Sequence, residues 1–181
     1  MINIIEKWII LATSSPSGGN AQPWKLDYNI QDDEIHINLS IDKEYQAKVS
    51  PMDLDGSAGL IALGCFGKTL ELAASLDQYS ISQKIIHSES IFWSSNVTYI
   101  YKKNRENKIP LYSEESILKR RTNREPYYKK EVPKALKNKI QNIYKKYPDV
   151  QYIEISNSDK NLISSWEGLE KLRFRNKHLI R

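Results

Sequence analysis

Apolar residues at Ile2, Ile5, Trp8, Ile9 and Ala12 recur at helical spacing. They predict an amphipathic helix over residues 2–14 that ends before Pro16. Residues 24–30 and 34–41 alternate apolar with polar, a β-hairpin pattern that turns at Gln31-Asp32-Asp33 and buries Ile35, Ile37, Leu39 and Ile41 together. An irregular polar connection with Pro51 covers 42–53. Residues 54–77 are apolar on several sides, which marks a buried helix. Strand-like runs follow around 81–87 and 92–101, then a charged loop over 102–110. Residues 113–120 read as a short helix with Ser113 as N-cap and Glu114 and Glu115 in its first turn. A helix over 133–147 with Pro133 in its first turn comes next. A strand over 150–155 and a last helix opened by Ser158 and Asp159 complete the order α-β-β-α-β-β-α-α-β-α. That order predicts an α+β sandwich rather than a strictly alternating parallel fold.

Four glycines, Gly56, Gly59, Gly64 and Gly67, fall within the buried helix. Each costs roughly 1 kcal/mol relative to Ala in a helix interior. Close approach of another helix or of a ligand is the expected compensation. Composition adds that the chain is soluble and globular, one domain or two small halves: 181 residues, 40% hydrophobic and 27% charged. The longest apolar run is short of a membrane span, and the N-terminus has no basic start or cleavage site, so a cytoplasmic location without membrane contact is expected. Cys65 is the single cysteine; it excludes an internal disulfide and reads as a core thiol rather than a nucleophile. His36, His87 and His178 show no ligand spacing, so no metal is expected.

Charge is uneven. Residues 1–100 hold 6 Lys/Arg against 12 Asp/Glu, net −6, and residues 101–181 hold 21 against 10, net +11. The basic part should face something anionic, with a phosphate-bearing cofactor or a nucleic acid as candidates, or the acidic first half.

Two stretches offer chemistry. Pro16-Ser17-Gly18-Gly19-Asn20-Ala21-Gln22-Pro23-Trp24 joins the first helix to the first strand. Its glycines let a ligand approach the main chain, and Asn20 and Gln22 carry both donors and acceptors, which suits a heterocycle edge. A helix C-cap followed by a turn explains the same residues. Arg120-Arg121-Thr122-Asn123-Arg124 is suited to grip a phosphate, or to form a solvated, salt-bridged turn beside Glu125. No nucleophile elbow, Walker loop or dinucleotide fingerprint is present, and Asp53 and Asp55 read as caps of the glycine-rich helix. Tyr127, Tyr128, Lys129 and Lys130 lend little to a nucleic-acid reading without a recognised motif.

Taken together, Pro16, Ser17, Asn20, Gln22, Pro23 and Trp24 match a Pro-Ser-x-x-Asn-x-Gln-Pro-Trp pattern that resembles the FMN-dependent nitroreductase superfamily. The helix Gly56–Ala74 resembles the family's central Gly/Ala-rich helix, which packs at the dimer core. Arg120–Arg124 resembles its Arg-Arg-Ser-x-Arg phosphate motif in the form of a fused subgroup that joins two halves in one chain. The resemblance spans residues 2–175 and implies a nitroreductase-like mixed sheet sandwiched by helices. It divides the chain into a first half, 1–112, and the start of a second, 113–181.

The resemblance implies FMN between two halves, as a homodimer or pseudo-dimer. Arg120, Arg121, Thr122 and Arg124 would hold the phosphate and ribityl tail, and Ser17, Gly18, Asn20 and Gln22 would face the isoalloxazine. NAD(P)H would donate hydride and a nitroaromatic or quinone would accept it, with no catalytic side chain, metal or nucleic acid. In ordinary family members the Arg-rich motif comes first; the reversed order here implies the rear of one half followed by the front of the next. The family's later phosphate contacts have no counterpart up to Arg181, which implies a fragment, a degenerate member or dependence on a partner chain. A flavin-sequestering protein without turnover, and an interaction module fused to or paired with another domain, are the alternatives.

Overall fold

The computed structural model describes residues 3–42, 44–45, 53, 56–87, 94–104, 110, 112–125, 128, 130–147, 151, 153, 164–165 and 168. The chain divides into two compact units, Met1–Thr122 and Asn123–Arg181. The first opens with α1 (Ile4–Ala12), where the Asn3 side chain accepts from Ile5 N and Glu6 accepts from Asn3 N, each at 3.1 Å. This reciprocal capping box satisfies helix N-terminal donors and fixes where the helix starts.

A hairpin follows, β1 (Trp24–Gln31) and β2 (Glu34–Ile41). Its turn is Asp32-Asp33 with φ of 49° and 63°, the left-handed pair that matches strand twist in a two-residue loop. As the alternation requires, Ile35, Ile37, Leu39 and Ile41 are all buried. Helix α2 (Ser57–Leu76), strands β3 (Tyr79–His87) and β4 (Asn96–Lys103) and the short α3 (Glu114–Leu118) complete the unit. Ser113 caps α3 as expected, accepting from Ser116 N at 3.2 Å.

The chain is α+β, but the described sheet is entirely antiparallel, in the order β1-β2-β4-β3, where a mixed sheet was expected. The reason is topological. β2 and β3, linked through α2, run in the same direction, and β4 lies between them, so no parallel neighbours form. Among the described residues of this unit, the helices pack on one face of the sheet. Ile5, Trp8, Leu11, Phe66, Leu70 and Ile117 share one core with Ile35, Ile37, Leu39 and Ile41 of β2 and Val97, Tyr99 and Tyr101 of β4. The opposite sheet face carries Asp27, Asn38 and Thr98 side by side, with Thr98 Oγ1 donating to Asn38 Oδ1 at 3.2 Å, and also the buried Ile100.

Two of the α2 glycines, Gly59 and Gly67, face the sheet. Gly67 faces the buried ring of Tyr99 on β4, and a Cβ on Gly59 would lie 3.0 Å from Ile41 Cδ1 on β2. Gly56 is the N-cap with φ of 82°, so its left-handed backbone ends the approach to the helix. The buried Asp53 carboxylate caps the first turn, accepting from Ala58 N at 3.0 Å and Gly59 N at 2.9 Å. Gly64 and Ile61 lie on the exposed face. By length and composition alone α2 is apolar enough to cross a membrane. Its buried Ala62, Leu63, Phe66, Leu70, Ala73 and Ala74 show that the same composition serves a core helix here. Cys65 is half-buried.

Aromatic packing ties α1 to the sheet, with the Trp8 ring centroid 4.9 Å from Tyr79 and 5.8 Å from Tyr101. Trp8 Nε1 donates to Asp77 at 2.8 Å, just beyond α2. A β-bulge at Ser82 shifts the register between Ile81 and Gln83, which brings Lys84 opposite Tyr99 and its ammonium 5.5 Å from that ring.

In the second unit, α4 (Lys134–Tyr144) follows Pro133, which occupies the N-cap position rather than the first turn. Leu136, Ile140 and Ile143 form an apolar stripe, of which Leu136 and Ile143 are exposed. Ser164, Ser165 and Gly168 have helical backbone. Of the expected strand over 150–155 only Gln151 and Ile153 are described; the rest of it, most of the last helix, and Pro51, Leu54, Asp55, Phe92, Tyr127 and Lys129 lie outside the described residues.

Candidate functional site: the loop between α1 and β1

The Pro16–Trp24 stretch is neither a plain helix cap nor a simple turn. Thr13 is the C-cap of α1, and Gly18–Asn20 then make a single 3₁₀ turn. Three residues within four positions are left-handed: Gly19 at φ 58°, Asn20 at 58° and Gln22 at 50°. Asn tolerates this region, but Gln has no short side chain to compensate. Such backbone persists only where its surroundings fix it.

Those surroundings are visible. Within the loop, Asn20 N donates to Ser17 O and Ala21 N to Gly18 O, both at 3.0 Å. Gln22 N donates to Ser17 Oγ at 3.1 Å, so the serine hydroxyl holds the turn rather than facing outward alone. At the far end Pro23 is fully buried, its carbonyl accepts from Asp42 N at 2.7 Å, and Trp24 stacks on Phe66 of α2 with centroids 4.7 Å apart. At the near end Ser15 is 1% exposed. The tip is therefore pinned on both sides, while Gly18, Gly19, Asn20, Ala21 and Gln22 remain exposed. A Cβ at Gly18 or Gly19 would meet nothing within 4 Å, so the approach to the main chain is open.

The structure brings part of the arginine motif to this loop. Arg120, just past α3, donates from Nε to the carbonyl of Ser14 at 2.7 Å. Ser14 Oγ in turn lies 3.2 Å from the Ile117 carbonyl and 2.7 Å from that of Leu11. Arg120 thus sits at the C-terminal end of α1, three residues before Ser17. Arg121 and Thr122 follow in the same unit and are exposed. Arg124 is exposed in the second unit, where Asn123 Oδ1 accepts from Glu125 N at 3.0 Å, a local turn that occupies the asparagine acceptor. Among ion pairs between described residues, none engages Arg120, Arg121 or Arg124.

A cleft of about 730 Å³ lies elsewhere, at the hairpin-turn end of β1. That end is separated from the loop by the eight residues of the strand, on the order of 25 Å. Its Asp32, Asp33, Lys102 and Lys103 mix both charge signs around Ile4 and Ile30. The loop is instead an open surface carrying side-chain amides beside a fixed guanidinium. An aromatic ligand with an alternating donor–acceptor edge and an anionic tail fits that donor set, provided a second surface covers its other face. Sequence reasoning picked out Ser17, Asn20, Gln22 and the arginines but missed Ser14 and Ile117, whose main-chain carbonyls frame the site. Carbonyl acceptors leave no signal in residue identity. No model of a known protein family and no curated protein matches the chain.

Proposed function

We propose that this chain is an FMN-dependent oxidoreductase of nitroreductase type, using NAD(P)H as donor and a nitro or quinone compound as acceptor. The observation that carries the reading is the pinned, left-handed loop at Gly19, Asn20 and Gln22 beside Arg120. In this reading the exposed amides of Asn20 and Gln22, with the open backbone at Gly18, bind and orient the isoalloxazine edge. Ser17 holds the turn that presents them. Arg121 and Thr122 supply charge-assisted and neutral donors to the phosphate and ribityl tail. FMN supplies the redox chemistry when bound, and the protein supplies orientation and hydrogen bonds. An open loop gives the flavin one wall, so the other comes from a second half or a second copy, as a pseudo-dimer or homodimer. The net +11 of residues 101–181 suits an anionic cofactor.

The test compares Arg121→Ala with Lys129→Ala. Loss of one charge-assisted phosphate contact costs about 1.5–3 kcal/mol, roughly 10- to 150-fold in affinity. FMN titration should show that loss for Arg121→Ala and little change for Lys129→Ala. Equal flavin occupancy in the two variants removes Arg121 from the phosphate site.

A further inference from the structure

Arg120 is the one basic side chain of the Arg120–Arg124 run whose described hydrogen bond goes to the main chain of another element. The acceptor, Ser14 O, lies just beyond α1, a helix with no basic residue in its last turn. A helix C-terminus carries partial negative charge, and a cation there is stabilising. Arg120 supplies that cation from 106 positions away in the chain. The contact is two-stranded: Ser14 Oγ approaches the Ile117 carbonyl as Arg120 Nε binds the Ser14 carbonyl. Ile117 is 5% exposed and belongs to the core cluster, so the α3 side of the clasp is anchored. The α1 side leads through buried Ser15 into the tip.

We propose that Arg120 is a positioning residue, which clasps the end of α1 to α3 and thereby sets the left-handed conformation of the Ser17–Gln22 loop, leaving Arg121 as the first arginine of the run to meet an anion. This rests on the proposed flavin site only for what the loop binds; the clasp itself does not depend on FMN. A lysine at 120 keeps the charge beside the helix end but presents a point donor instead of the planar side-on Nε–H, so it restores the clasp in part.

The test is backbone amide hydrogen exchange on the full chain without ligand, comparing wild type with Arg120→Ala, Arg120→Lys and Arg121→Ala. The reporters are the amides of Asn20, Ala21 and Gln22, whose bonds define the tip. Exchange at these amides should quicken on the order of tenfold in Arg120→Ala, less in Arg120→Lys, and not in Arg121→Ala. Ile37 and Tyr99 amides, in the sheet core, should keep wild-type rates, which separates loop release from general destabilisation. If Arg120→Ala does not fold, Arg120→Lys against Arg121→Ala decides the same question. Equal exchange at the tip in the Arg120 and Arg121 variants overturns the clasp. FMN added as a probe then reads the second claim: weaker binding with an unchanged tip for Arg121→Ala, weaker binding with a loosened tip for Arg120→Ala. A wild type that binds no FMN but shows the exchange pattern defeats the flavin reading and leaves the clasp standing.

Discussion

Replacing Gly67 with Ala tests the packing of α2 on the sheet that holds the loop. A Cβ built there would stand 2.7 Å from Tyr99 Cζ, nearer still to its hydroxyl oxygen, and 3.1 Å from Cε2. Ordinary contact begins at 3.4 Å, so the ring carbon must recede by 0.7 Å, the difference between 3.4 and 2.7 Å. It has little room to do so. Tyr99 is 4% exposed, its centroid is 6.3 Å from that of Tyr101, and Lys84 lies over its ring. Overpacking of this kind costs about 1–3 kcal/mol, and contact with a rigid phenol belongs at the upper end. The Gly-to-Ala gain in helix propensity returns about 1 kcal/mol, leaving a loss of about 2 kcal/mol. For a chain of this size that lowers Tm by about 4–8 °C. Gly64→Ala is the matched control, since a Cβ there meets nothing within 4 Å. It should raise Tm by about 2–4 °C from propensity alone. Thermal unfolding of both variants reads the result. If the two substitutions move Tm in the same direction, the registration of α2 on β4 is wrong.

Two further outcomes follow from the core. The Tyr101 hydroxyl is buried and has no hydrogen-bond partner among the described residues, so Tyr101→Phe should leave stability at pH 7 unchanged or raised. Burial first, then Tyr99 and Glu71, pushes the Tyr101 phenol far above its usual range. The unfolded chain ionises this group near pH 10 while the folded chain keeps it neutral, so its contribution is complete below about pH 10 and is lost as pH rises beyond it. Urea titrations from pH 8 to 11 should therefore show a shallower alkaline loss in Tyr101→Phe than in wild type; identical slopes contradict the assignment. Asp53→Ala removes both acceptors from the first turn of α2 and should cost about 1–2 kcal/mol, read as a lower urea midpoint at unchanged slope.

What the sequence revealed was set by how local each feature is. The Ile35–Ile41 alternation carries its own burial pattern, because an antiparallel strand with one wet face must alternate. The glycines of α2 announced a close neighbour but not its identity, because Tyr99 arrives from a strand 32 positions after Gly67. The insertion of β4 between β2 and β3 has no local signature, so the purely antiparallel sheet was not legible. The bulge at Ser82 breaks the alternation of β3 and brings Lys84 to the face of Tyr99. At the candidate site, residue types pointed to the loop, but left-handed Asn20 and Gln22 are imposed by anchors at both ends rather than by propensity. The bond from Arg120 to Ser14 joins residues 106 positions apart and ends on a carbonyl, which every residue has.

The central claim is that the Gly18–Gln22 loop and the adjoining arginines form one wall of a flavin site. Its most direct test is the absorbance spectrum of the purified full chain after incubation with FMN and removal of free flavin. Wild type should retain a yellow flavin spectrum, reduced in Asn20→Ala and in Arg121→Ala, and should oxidise NAD(P)H when a quinone is supplied. A colourless protein that gains no thermal stability from added FMN would contradict it.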